Sequence, residues 1–328
     1  VTAPRPTGGR RWWRAALVGL VVAALVLGGL LAAAHQQGRP ESLRERKGRL
    51  REAQLRPAAT DAVSALSELT LSSTSELEGH ALVRHPLAAT GRLPAAVVLG
   101  GINRGRRIAA VAGLDAVAAR AVVLGLDYPL TARRRAWEGV QAIETFARIR
   151  PAALDTIALV LLALDYLQSR ADVDGRRLFL IGGSLGAPVM TIAGAVDARA
   201  AAVVVLYGGG HLGDLVAHTL QHPSQRARWP AWQAWLAGHA LAALLTPLEP
   251  TRYAADVAPR PFLMINGAGD SLVPRAHAEA LYAAAREPKE LLWVQGDHVQ
   301  PTEAELLARL SETITSWLAA RGLLGPAR

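Results

Sequence analysis

The spacing of hydrophobic and polar positions changes period repeatedly along this chain. "SELTLSST" and "LEGHALVRH" alternate apolar with polar residues, the pattern of half-buried antiparallel strands. Six short apolar runs follow at 94–101, 120–127, 176–183, 201–209, 260–267 and 290–297, each closing on Gly or Asp. Unbroken apolar strands of that length suit a parallel sheet covered on both faces. Between the runs the spacing turns helical, over 107–120, 154–170, 185–196, 275–286 and 302–321. This alternation predicts an α/β fold with a doubly wound, mostly parallel sheet, whose ligands bind outside the carboxyl ends of the strands. One interval breaks the rhythm. Roughly fifty residues separate "VVVLYGGG" from "RPFLMING", where a crossover needs about a dozen. The insertion, at about 210–258, is expected to close over the carboxyl edge as a helical lid. It carries Trp229, Trp232 and Trp235, spaced by three. That spacing predicts first a helix face packed on the core, second the lining of an acyl pocket, and third contact with the bilayer.

A different pattern opens the chain. Residues 15–34, "AALVGLVVAALVLGGLLAAA", contain no polar side chain. Twenty helical residues span about 30 Å, the thickness of a bilayer's hydrocarbon core. Trp12 and Trp13 stand where an interfacial aromatic belt belongs, with Arg10, Arg11 and Arg14 at headgroup level. Ala32-Ala33-Ala34 before His35 also fits a signal-peptide cleavage site, but the apolar run exceeds the roughly 7–15 residues such a region needs. The expected organisation is therefore a basic segment at 1–14, a transmembrane anchor at 15–34, a charged juxtamembrane linker at 35–60, and the main domain over 61–328. Single N-terminal anchors habitually carry an exported domain, so an extracytoplasmic main domain is expected. The basic flanks lie on both sides and assign no orientation themselves.

Composition sharpens this picture. Hydrophobic residues make up 51% of the 328, enough for a sizeable core. The absence of cysteine excludes disulfides, thiolate metal sites and cysteine nucleophiles. A net charge of +9 suggests nucleic acid until it is located: residues 1–56 hold eleven Arg and Lys against three Glu, eight of the nine net charges. The remainder is close to neutral and offers no footprint for a phosphate backbone. The basic residues flank the apolar run, where they meet anionic lipid. No metal signature is read from the nine histidines.

The chemistry centres on "LFLIGGSLGAPVM", where an apolar strand ends in Gly182-Gly183-Ser184-Leu185-Gly186. A serine hydroxyl is a poor nucleophile until a base takes its proton. Between a strand and a helix, however, G-x-S-x-G spacing builds the sharp turn of a nucleophile elbow, with small flanking residues that let strand and helix approach. The helix that follows aims its first amides at the site of a developing oxyanion. A phosphate-binding turn is the competing reading. "GGSLGAP" lacks both the third glycine of a dinucleotide fold and the Gly-Lys pair of a P-loop, so no cofactor is expected. A base and an orienting acid then fall at the ends of later strands. "INGAGDSLVP" puts Asp270 just past one apolar run, and "WVQGDHVQP" puts His298 just past the next. The order Ser184, Asp270, His298 is that of an α/β-hydrolase triad. Asp127, in "LDYP", reads as a turn cap, and His211, after three glycines, as structural.

On "DVDGRRLFLIGGSLGAP", "RPFLMINGAGDSLVP" and "LLWVQGDHVQP", residues 69–318 resemble the α/β-hydrolase superfamily, particularly its dienelactone-hydrolase-like and prolyl-oligopeptidase-like esterases. The resemblance implies Ser184 as nucleophile, Asp270 as acid and His298 as base. It implies oxyanion donors on the backbone amide of Leu185 and on an amide in "VVLGGINRG". Gly100-Gly101 stands there in place of the family's frequent His-Gly, so Ile102 is the expected second donor and Gly101 the next. The implied activity is hydrolysis of a small-molecule acyl ester by a membrane-anchored serine hydrolase. A thioesterase or peptidase on the same triad is the alternative, followed by a non-catalytic module on the same fold.

Overall fold

The computed structural model describes residues 9–61, 63–88, 91–101, 105–129, 139–222, 229–299 and 303–325. Nine strands form one sheet: β1 (Leu50–Thr60), β2 (Ser64–Ser73), β3 (Glu78–Pro86), β4 (Leu93–Leu99), β5 (Val122–Leu126), β6 (Val173–Gly183), β7 (Ala200–Leu206), β8 (Phe262–Gly267) and β9 (Lys289–Val294). Their spatial order is β1-β2-β3-β5-β4-β6-β7-β8-β9. The first three strands pair antiparallel and join β5 antiparallel; every later pairing is parallel. The six apolar runs all became parallel strands, and the two alternating stretches became β2 and β3.

Both sheet faces are covered, which explains the unbroken apolar runs. In β4, Ala95 and Val97 face a core built on α4 (Gly139–Ser169) and α5 (Gly186–Val196), with Leu159, Leu161 and Leu164. Ala96 and Val98 face the opposite core, under Leu310, Ile314 and Trp317 of α9 (Ala304–Ala319). Successive strand residues point to opposite faces, so each must be apolar when both faces are buried. Residues 148–169 of α4 are long and apolar enough to cross a membrane, yet 67% of their apolar window is buried in this core.

Three expectations need correction. Residues 35–60 are not a linker. α2 (Pro40–Lys47) docks on α4 with Leu43 wholly buried, and its basic side chains pair with that helix: Arg46 with Asp155 and Lys47 with Asp165, both at 2.6 Å. β1 then pairs with β2 along its length as the sheet's edge. An edge strand exposed on both faces has no apolar periodicity to betray it, and its Pro57 is tolerated there. Residues 107–120 are not one helix but two 3₁₀ turns and the single-turn α3 (Asp115–Ala118). Gly113 is the middle residue of the second 3₁₀ turn, and a Cβ there would overlap Leu307 of α9.

The third correction concerns the insertion. It folds as α6 (Leu212–Gln221), α7 (Ala231–Leu244) and a run of 3₁₀ turns. α6 and α7 pack on each other through small residues: a Cβ at Gly238 would lie 2.9 Å from the Ala217 nitrogen. Trp229, Trp232 and Trp235 stay outside that contact, 45%, 67% and 55% exposed. They are neither core nor pocket.

At the N-terminus, α1 (Gly9–Gln37) is one continuous helix that contains the whole apolar run. Leu17, Leu20 and Leu25 on it are each about two-thirds exposed or more. Its end is tied to the domain: Tyr253 donates its hydroxyl to the Gly38 carbonyl at 2.8 Å, and Arg252 donates to His35 Nδ1 at 2.6 Å.

Candidate active site

Ser184 sits between β6 and α5 with φ of +52°, in the left-handed region that a side-chain-bearing residue rarely adopts. The turn is held by its neighbours. The Ser184 N–H donates to the Leu206 carbonyl at 2.8 Å, and its own carbonyl accepts from the Ala187 N–H at 2.9 Å. The flanking glycines are steric necessities. A Cβ at Gly182 would lie 2.5 Å from the Gly186 carbonyl oxygen, and one at Gly186 would run into the backbone of Leu99 on β4. A Cβ at Gly183, by contrast, would meet Leu206 and Leu99 only at 4.0 Å, an ordinary contact.

The structure brings the three side chains together. His298 Nε2 lies 3.0 Å from Ser184 Oγ, and His298 Nδ1 lies 2.8 Å from Asp270 Oδ2. Both His298 and Asp270 are buried, and the aspartate side chain is fully so. Asp270 Oδ1 accepts from the N–H groups of Leu272 and Val273 at 2.9 and 2.8 Å, which fixes the carboxylate's rotation. With one oxygen held by backbone amides, the other is left for the imidazole.

Three supporting residues escaped sequence reasoning. Asp297 accepts from the backbone N–H of Ser271 at 2.7 Å and of His298 at 2.6 Å, and from the Ser271 hydroxyl at 3.1 Å. It thereby fastens the loop bearing the acid to the loop bearing the base. Those amide bonds, Ser271 first, hold its carboxyl below the ordinary aspartate range. Its place directly before His298 is the only signal the sequence carried. Tyr207 packs its ring edge-on against His298, 5.3 Å between centroids, and burial pushes its phenol up to about 12, helped by the charges of Asp270 and Glu303. Tyr128 donates its hydroxyl to the Gly100 carbonyl at 2.5 Å, pinning the loop after β4, and burial raises that phenol well above its ordinary value. Its neighbour Asp127 is a cap, as read: it accepts from the Arg106 N–H at 2.7 Å.

The Leu185 N–H stands at the entry of α5 and donates to no acceptor among the described residues. Ile102 lies outside the described residues; Gly101, the next-ranked donor, lines the site. His211 stands at the start of α6 with its backbone N–H bonded to Glu249 at 3.1 Å, and it is exposed and does not line the cavity at Ser184. His218 and His222, an H-x-x-x-H pair on α6 that sequence reading passed over, meet edge-on at 6.2 Å. Among the described residues no group of three His, Cys, Asp or Glu could hold a metal.

Ser184 opens into a cavity of about 340 Å³. Its walls are apolar, drawn from Ile108, Val111 and Leu114 on one side and Leu307, Leu310 and Ile314 of α9 on the other. No described residue of the expected lid at 210–258 lines it, and residues 223–228 of that insertion lie outside the described residues.

The comparisons with known proteins bear on the fold and on part of the chain. A family described as "Serine hydrolase (FSH1)" matches residues 201–310, a stretch that includes Asp270 and His298 but not Ser184. The protein YfhR of Salmonella typhimurium, which carries the description "uncharacterized", is 32% identical over 154 residues, 42% of this chain and 45% of its own length. This chain therefore matches less than half of that curated relative. Among solved structures, acetyl xylan esterase 1 from Thermoanaerobacterium sp. JW/SL YS485 superposes with a TM-score of 0.60 at 16% identity, covering 88% of this chain and 93% of that one. The acetyl xylan esterase from Paenibacillus sp. R4 gives 0.62 at 18%, covering 84% and 92%. Fold and site define the class at the level they reach: an α/β fold shared with solved esterases, with a serine, a histidine and an aspartate joined by hydrogen bonds at the carboxyl ends of its strands.

Proposed function

We propose that this chain hydrolyses small-molecule carboxylic esters through an acyl-enzyme, with Ser184 as nucleophile, His298 as general base and acid, and Asp270 as the residue that orients the imidazole. One observation carries the reading: a single buried imidazole bridges Ser184 Oγ at 3.0 Å and Asp270 Oδ2 at 2.8 Å. His298 Nε2 takes the Ser184 proton as Oγ bonds to the acyl carbon, and the carbonyl oxygen becomes an oxyanion. The Leu185 N–H and an amide of the Gly100–Gly101 loop stabilise that charge. The imidazolium returns the proton to the departing alcohol. Water then repeats the sequence on the acyl-enzyme and frees the acid. Asp270 stays ionised throughout, holding Nδ1–H toward itself. The likeness to solved acetyl xylan esterases supports ester chemistry. The apolar cavity beside Ser184 supports an ester with an apolar part.

The test is labelling with a fluorophosphonate probe, followed by chromogenic esters of graded acyl length. Ser184→Ala is expected to abolish both labelling and turnover with thermal unfolding nearly unchanged. Labelling that persists in the variant refutes the nucleophile.

The same proposal includes a membrane anchor at 15–34, with the catalytic domain outside the cytoplasm. Its support is the unbroken helix over that run and the exposure of Leu17, Leu20 and Leu25, apolar side chains that otherwise face water. Carbonate washing of membranes is expected to leave the full-length chain in the pellet, and protease protection on intact cells reads the sidedness. A soluble product beginning at His35 would overturn the anchor.

A further inference from the structure

The outer face of α7 is unlike an ordinary water-facing surface. The helix, "AWQAWLAGHALAAL", contains no Asp, Glu, Lys or Arg. Its inner side is occupied by α6: Ala234 and Gly238 are buried, and a Cβ at Gly238 would run into the Gly213 carbonyl. Residues three and four apart share a helix face. Trp232, Trp235 and Leu236 therefore form one patch on the other side, each more than half exposed, and Trp229 stands exposed just before the helix. The Trp235 ring stacks on His239, one turn further along the same face. Single exposed apolar side chains need no explanation. A contiguous group without an interleaved charge marks a surface that something apolar covers.

The neighbourhood says what covers it. The proposed anchor, α1, ends against the turn that follows α7. A Cβ on Gly38 would lie 2.8 Å from Pro247 Cβ, and the Tyr253 hydroxyl is 2.8 and 2.9 Å from the carbonyl oxygens of Gly38 and Pro247. α1 also touches α7 itself. A helix of this length extends about 20 Å, so the whole outer face of α7 is near the point where the apolar run leaves the domain. That point carries three arginines: Arg39 is exposed directly after α1, Arg150 donates to the Gln37 side chain at 2.7 Å, and Arg252 donates to His35. Arginines at the exit of a membrane helix meet anionic headgroups. Tryptophan is favoured at the same depth, because its ring is apolar and its N–H is polar. Continuity with α1 and its arginines favours lipid over a second copy of the chain.

We infer that the outer face of α7, with Trp229, Trp232, Trp235 and Leu236, lies in the interfacial layer of the bilayer that holds α1. An interfacial helix sinks its apolar face about 5–10 Å into the boundary between headgroups and acyl chains. The domain is then held at two places, and its orientation on the membrane is set. This inference rests on the anchor reading of residues 15–34.

The chain has no cysteine, so one introduced thiol carries a label at one place. Full-length Leu236→Cys is labelled with an environment-sensitive fluorophore and reconstituted into vesicles of phosphatidylcholine with a minor share of phosphatidylglycerol. Glu305→Cys, on α9 across the sheet and 87% exposed, is the water-facing control. Iodide reads access from water, and lipids bearing a nitroxide near the headgroup or deep in the acyl chain read access from the bilayer. The Leu236→Cys label is expected to be quenched by iodide several-fold less than the control, and by the shallow nitroxide more than by the deep one. Adding Trp232→Ala and Trp235→Ala is expected to restore most of the iodide quenching. Ala240→Cys, exposed on the flank of the same helix, is the second labelling site should Leu236→Cys lower the melting temperature. Equal iodide quenching at label and control puts the α7 face in water and overturns the inference while the anchor stands. Shielding from iodide without quenching by either nitroxide puts a second copy of the chain over the face, and overturns it too. A chain that leaves the vesicles on carbonate washing overturns the anchor reading, and this inference falls with it.

Discussion

Gly186→Ala offers a stringent test of how the active site is built, because the cost can be worked from distances. In an open helix the change would be welcome, since alanine exceeds glycine in helix propensity by about 1 kcal/mol. Here the new Cβ would stand 2.9 Å from the carbonyl carbon and the Cβ of Leu99, and nearer still to its carbonyl oxygen. Those are mostly backbone atoms of β4, and Leu99 is paired with Gly182 of β6, so neither side can retreat without loosening the centre of the sheet. Overpacking against such surroundings costs about 1–3 kcal/mol, more when the neighbour is rigid. A net loss of about 2 kcal/mol is expected after the propensity gain, or roughly 3 °C in melting temperature for a chain of this size. Activity should fall further than stability. Leu99 leads directly into Gly100 and Gly101, and misplacing an oxyanion donor costs about a hundredfold in kcat. Gly183→Ala, one residue before the nucleophile, is the control. Its nearest neighbours would be 4.0 Å away, so stability should stay within about 0.5 kcal/mol. The assay is thermal unfolding by circular dichroism beside p-nitrophenyl acetate kinetics for both variants. A Gly186→Ala protein as stable and active as the wild type would refute the argument, as would a Gly183→Ala protein that is the worse of the two.

Other outcomes follow from the same geometry. Asp270→Asn should lower kcat by about ten-thousandfold, because an amide cannot hold the imidazole in the required tautomer; a variant that keeps most of its rate moves the orienting role elsewhere. Asp297 has its folded pKa held below the ordinary aspartate value, so its contribution to stability is complete above about pH 4 and lost as pH falls through the folded value. The stability gap between wild type and Asp297→Asn, read from urea midpoints, should therefore close on acidification below about pH 4, and a gap constant from pH 6 to pH 2 would contradict this. Trp232→Ala should change stability by no more than about 0.5 kcal/mol and leave acyl-length preference untouched, since the side chain is 67% exposed and outside the cavity. A loss of about 3–5 kcal/mol, the cost of a core tryptophan, or a shifted chain-length optimum would restore it to the core or to the pocket.

The parallel strands and the order of Ser184, Asp270 and His298 were legible in the chain itself. A strand buried on both faces must be apolar at every position, and Gly182 answers a clash with Gly186 four residues on, although Gly186 itself answers Leu99 of a neighbouring strand. The first two constraints are local, so they leave a local record. β1 left none, because an exposed edge strand has no buried side to repeat. The cavity wall was equally silent. Leu310, Ser311 and Ile314 read only as the inner stripe of an amphipathic helix, and nothing in that stripe says it will lean over a serine 127 positions earlier. The strand order decides that, together with the glycine at 113 that lets α9 approach. The insertion shows the converse. Its length and tryptophans suggested a lid, but α6 and α7 bury their small-residue faces against each other, and α6 meets the acid loop from the side, through His218 and the Ser271 carbonyl, without lining the cavity. Periodicity records which face of an element is buried; only the packed fold decides against what.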